Sequence, residues 1–149
     1  MNTRPVIRAL ALGAILLPAA LLATGCSSVI DVVVHHQQDL TFEDRAAMKE
    51  GWNRFEEWVP ADATHIIGTA GTDGPHAAIM FRSEEDLDPA VCAEVPRRSA
   101  PVYALKDAPA VYEMDKVFAC GDWSVVRTDD GWLGWTPNAP DEAAESPAS

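Results

Sequence analysis

Three cysteines, four histidines and one Arg-Arg doublet are the residues of this chain with the most chemistry to offer. Cys26, Cys92 and Cys120 stand far apart, so the close C-x-x-C pair of a redox catalyst is absent. His35 and His36 are adjacent but have no nearby cysteine pair or fixed carboxylate to complete a metal site. His65 and His76 fall on the two arms of an expected hairpin, where His76 lies across from residues 69–71. At strand rise that offset is about 13 to 20 Å, too far for one ion. The run Glu84-Glu85-Asp86-Leu87-Asp88 supplies spaced carboxylates but lacks the glycine and terminal glutamate of a calcium loop, so it reads as helix capping and solvated charge. No metal or cofactor is expected. There is no serine-hydrolase elbow, phosphate-binding glycine loop or dinucleotide fingerprint, and no residue is assigned a catalytic role. The patch with a rationale for binding is Arg97, Arg98 and Tyr103, a basic doublet and an aromatic set among Pro96 and Pro101, which suits an anionic group on a loop.

The formal charge of -12 and the 23 Asp and Glu against 11 Lys and Arg exclude a nucleic-acid role, because a phosphate backbone rewards basic patches. The first residues have a different character. Arg4 and Arg8 precede an uncharged apolar run over residues 9–23, the pattern of a signal peptide. A spanning helix needs about 20 apolar residues, and this run stops earlier. Leu22-Ala23-Thr24-Gly25-Cys26 resembles a bacterial lipobox, with Ala23 in place of the commoner large aliphatic residue. The resemblance implies a diacylglyceryl group on the Cys26 thiol, cleavage after Gly25 and acylation of the new amino terminus. Such a lipid anchor holds a protein without a transmembrane helix. The protein is then expected outside the cytoplasm, on the cell membrane, or on the outer membrane of a host that has one. Removing residues 1–25 takes away Arg4 and Arg8, so the exported chain is more acidic still. With Cys26 given to lipid, Cys92 and Cys120 form an even pair in an oxidising compartment, and a disulfide between them is expected. The loop it closes implies about 3 to 4 kcal/mol of stabilisation.

Spacing sets the remaining elements. Residues 26–40 read as a lipidated tether, with a β-branched stretch at 29–34. Thr41 caps an expected helix whose apolar stripe is Met48, Trp52, Phe55 and Val59, ended by Pro60. A hairpin over residues 64–69 and 76–82 follows. A short helical segment is expected near residues 83–92. A three-strand meander is expected over residues 116–120, 123–128 and 132–135, with turns at Gly121-Asp122 and Asp129-Asp130-Gly131. Trp132 and Trp135 point to opposite faces, one into the core and one partly exposed. Residues 138–149 contain no large apolar side chain and are expected to be a disordered acidic tail.

The expected fold is α+β, with residues 41–137 forming one amphipathic N-terminal helix on a small, mainly antiparallel sheet with a disulfide-closed loop. The expected function is that of a membrane-anchored, non-enzymatic envelope lipoprotein that binds an envelope protein or an anionic ligand. The alternative is a small cell-envelope hydrolase or a glycan-binding accessory protein.

Overall fold

The computed structural model describes residues 36–148. Residues 1–35, and with them the signal peptide, Cys26 and the stretch at 29–34, lie outside the described residues. Seven strands form one sheet among the described residues: β1 (Gln37–Asp44), β2 (Thr64–Gly71), β3 (Ala77–Arg82), β4 (Ala93–Pro96), β5 (Lys116–Cys120), β6 (Trp123–Arg127) and β7 (Gly131–Thr136). Their spatial order is β1-β2-β3-β7-β6-β5-β4 and every neighbouring pair is antiparallel. The α-helices are short, α1 (Arg45–Gly51) and α2 (Pro140–Ala144). The expected α+β fold is therefore corrected to a predominantly β fold.

Residues 37–59 make the difference. Leu40 and Phe42, two apart, meet the same core, and Thr41 and Phe42 pair with Ile67 and Ile66 as part of β1. Thr41 is thus in a strand, and Asp44 caps α1 instead, its Oδ1 accepting the Ala47 N–H at 2.8 Å. The helix ends at Gly51 because Trp52 turns extended, with φ -129° and ψ 115°. Glycine leaves room there for the Phe42 ring, which a Cβ on residue 51 would approach to 2.9 Å. The apolar stripe is still buried, with Met48, Trp52 and Val59 at 3% exposure or less, but mostly from turns rather than from a helix.

Period-2 alternation divides the sheet's side chains between two faces. The first face carries Ile79, Phe81, Trp123, Val125 and Trp132 and is covered by residues 45–63 and 87–92. Trp58 packs against Phe81 and Trp123, with ring centroids 5.8 and 5.5 Å away. Its ring occupies the space that a side chain on Gly134 would fill, 2.6 Å from the ideal Cβ position. Cys92 and Cys120 are joined, with sulfurs 2.05 Å apart, which ties the covering loop to the end of β5. The expected disulfide is present. Residues 83–92 are turns, not the expected short helix.

The second face carries Ala78, Val117, Val126, Leu133 and Trp135 and is crossed by residues 97–114, which contribute Tyr103, Leu105 and Val111. Trp132 and Trp135 do take opposite faces. Both are buried, at 3% and 1%, because each face has its own cover, so the expected partial exposure of one is corrected. The tail is corrected too. Pro140 and the acids after it begin α2, and Glu142 is 1% exposed.

Candidate functional site: a groove on the half-covered face

The cover on the second face is incomplete. Thr41, Ile67, Met80, Leu133 and Val126 stand in register across β1, β2, β3, β7 and β6. Leu133 and Val126 are buried, whereas Ile67 is 39% exposed and Met80 half-buried. Beside Lys106 and Asp107 the sheet surface is left as an open groove of about 540 Å³ with Ile67 and Met80 among its lining residues. It continues past His65, Arg82, Asp129 and Asp130 toward Asp62 and Glu84.

The groove's shape comes from local irregularities. The β2–β3 pairing shifts between Thr64 and Ile67, where His65 takes a left-handed φ of 51°. Asp107 does the same at φ 63° on the covering loop. Both are in a conformation that costs a non-glycine residue energy and that commonly marks turns and sites. Arg82 Nε donates to Asp130 Oδ2 at 2.9 Å, with both side chains more than 60% exposed, so this pair is well hydrated. Asp62 is built in more firmly. Burial works against its charge, but the Ser83 hydroxyl at 2.5 Å and the amides of Glu84 and Glu85 at 2.7 and 3.2 Å outweigh it and hold the carboxyl below its ordinary range. The groove thus combines an apolar patch at Ile67 and Met80 with a rim carrying both signs of charge.

The expected binding residues are placed elsewhere and are not brought together. Arg97 Nε donates to the Met114 carbonyl at 2.8 Å and Nη1 to the Ser99 carbonyl at 3.1 Å, with its guanidinium 5.8 Å from the Tyr112 ring centre. Arg98 lies 3.6 Å from Asp141, both exposed. Tyr103 packs on the second face, its hydroxyl beside Gly71 at the end of β2. Arg97 fastens the covering loop; it does not present a free cation.

The most concentrated polar chemistry is at Glu142, which sequence reasoning placed in a disordered tail. Among the described residues five donors converge on its carboxylate: the amides of Arg98, Ser99 and Ala139 and the hydroxyls of Ser99 and Ser124. Burial would raise this carboxyl, yet the Ser99 hydroxyl, the Arg98 and Ala139 amides and the Ser124 hydroxyl hold it below its usual range. Ser99 Oγ also accepts from Trp135 Nε1 at 2.9 Å. Each serine has a single hydroxyl proton, and both are directed to the carboxylate, at 2.6 and 2.9 Å. A carboxylate so stabilised is a poor proton acceptor, so the cluster docks α2 onto the sheet rather than activating a serine.

Comparison with protein-family models, with curated proteins and with solved structures finds no match to this chain. Among the described residues no helix is long and apolar enough to cross a membrane.

Proposed function

We propose that the protein is an exported, lipid-anchored, non-enzymatic binding module, held outside the cytoplasm through Cys26 and engaging an envelope partner with the open side of its sheet. The observation that carries the binding reading is the half-covered second face, where Ile67 at 39% exposure and Met80 border a groove rimmed by His65, Arg82, Lys106 and Asp107. Support for the anchor comes from the sequence, in the apolar run that ends at a lipobox-like Cys26. The partner fits the groove better than the Arg97 and Arg98 doublet, since Arg97 is engaged with backbone carbonyls.

Chemical crosslinking in intact cells tests both parts. The expected result is a mature chain whose terminal cysteine carries a thioether-linked lipid and which captures an envelope molecule. Capture should fall when Ile67→Glu or Lys106→Glu is introduced and stay unchanged with Tyr112→Ala. An unlipidated Cys26 removes the anchor, and capture indifferent to both groove substitutions removes the site.

A further inference from the structure

The two ends of the sheet differ in what they offer another chain. An edge strand leaves every second N–H and C=O unpaired, and proteins usually guard such edges with proline, charged side chains, bulges or very short strands. β4 is guarded. It has four residues, and the bond from Arg97 N to Asp115 O fixes the alternation so that Glu94 and Pro96 face outward. Pro96 has no N–H to give, and the Glu94 carboxylate is held by Lys116 Nζ at 2.5 Å.

β1 is guarded by acidic charge alone, from Asp39, Glu43 and Asp44. The bond from Thr72 N to His36 O at 2.8 Å, with the β1–β2 register, assigns the even-numbered backbone groups to β2. The N–H and C=O groups of Gln37, Asp39 and Thr41 therefore point away from the sheet. The strand is eight residues long, without proline or lysine, and among the described residues it is last in the sheet. Its side chains are sorted by face: Asp39, Thr41 and Glu43 are exposed on one, Leu40 and Phe42 pack into the core on the other.

We propose that β1 accepts an extended basic segment of a partner protein as an added strand, with Lys or Arg opposite Asp39 and Glu43, a small β-branched residue opposite Thr41, and apolar residues beside Leu40 and Phe42. Backbone pairing supplies the attachment and alternate side chains supply the choice. Charge argues against a second copy of this chain. Pairing two β1 edges about Thr41 sets Asp39 against Glu43 twice, and any register gathers both copies' carboxylates on one face. The inference goes beyond the groove and depends on neither the groove nor the lipid anchor.

Residue-resolved amide exchange on the full-length protein is the test, with a short peptide containing Lys-Val-Thr-Val-Lys, which reads the same in both strand directions. In the free protein the Asp39 and Thr41 amides should exchange readily. Saturating peptide should slow them by about tenfold or more, with the inward Leu40 amide little changed. The Glu-Val-Thr-Val-Glu peptide should do nothing, and the double variant D39K/E43K should reverse that preference. Thr41→Pro removes an outward N–H that β2 does not use, so it should abolish binding while the sheet persists. Protection in the free protein at every dilution would overturn the proposal by showing that the chain's own preceding segment covers the edge. Protection that grows with protein concentration would overturn it in favour of a second copy. No response to either peptide, or an equal response to both, would also overturn it.

Discussion

The β4–β7 side of the sheet is fastened through both of its covers and at its edge strand, whereas the β1–β3 side is left open on one face and at its edge. On the fastened side the Cys92–Cys120 bridge holds the first-face cover, Arg97 and Glu142 hold the second-face cover, and Pro96 blunts the strand edge. On the open side Ile67 remains 39% exposed and β1 ends the sheet. The difference is one of constraint. Covalent and buried polar constraints collected on one side stabilise the fold, so the other side can keep apolar and backbone groups available without losing it.

Breaking the fastened side should have the largest effects. Cys92→Ser with Cys120→Ser removes a crosslink across 28 positions and should lower unfolding free energy by about 3 to 4 kcal/mol in denaturant titrations. Glu142→Ala leaves buried donors without an acceptor and should cost about 3 kcal/mol, read in the same way. The acid limb of stability should change in parallel. Since the folded carboxyl of Glu142 lies below its ordinary value, its contribution is present above the unfolded pKa and disappears as pH falls through the folded one. Glu142→Gln should therefore flatten the loss of stability below about pH 4.3, measured as unfolding midpoint against pH. Gly134→Ala forces a methyl toward the Trp58 ring and should cost about 1 to 3 kcal/mol, with an altered tryptophan near-ultraviolet signal. On the open side Ile67→Glu should shift stability by less than about 1 kcal/mol while removing partner capture. Comparable destabilisation by Ile67→Glu and Glu142→Ala would erase the distinction between the sides.

Local patterns made much of the sheet legible on both sides. Glycine-bearing turns marked the hairpin and the meander, and cysteine parity after the lipobox-like motif pointed to the disulfide. Helical spacing at Met48, Trp52, Phe55 and Val59 misled, because a turn-rich cover can bury the same residues that a helix would. Leu40 and Phe42, two apart in a polar context, were the available signal for β1. Pro140 followed by two acids was the available signal for α2, since proline and acids favour a helix's first turn. That Glu142 would be buried was not legible. Its five donors come from residues 98, 99, 124 and 139, and tertiary pairing alone brings them together. The groove was equally hidden, because Ile67 and Met80 read as ordinary strand residues until the reach of residues 97–114 determined which of them stayed exposed.

Placing a photo-activated crosslinking side chain at one position at a time in intact cells tests the division of the molecule most directly. Positions 41, 67, 80 and 106 on the open side should yield adducts with a common envelope partner, and the fastened side's exposed positions 98, 112 and 145 should yield little. Adducts concentrated at 98, 112 and 145, with positions 67 and 106 silent, would contradict the assignment of the open side as the binding surface.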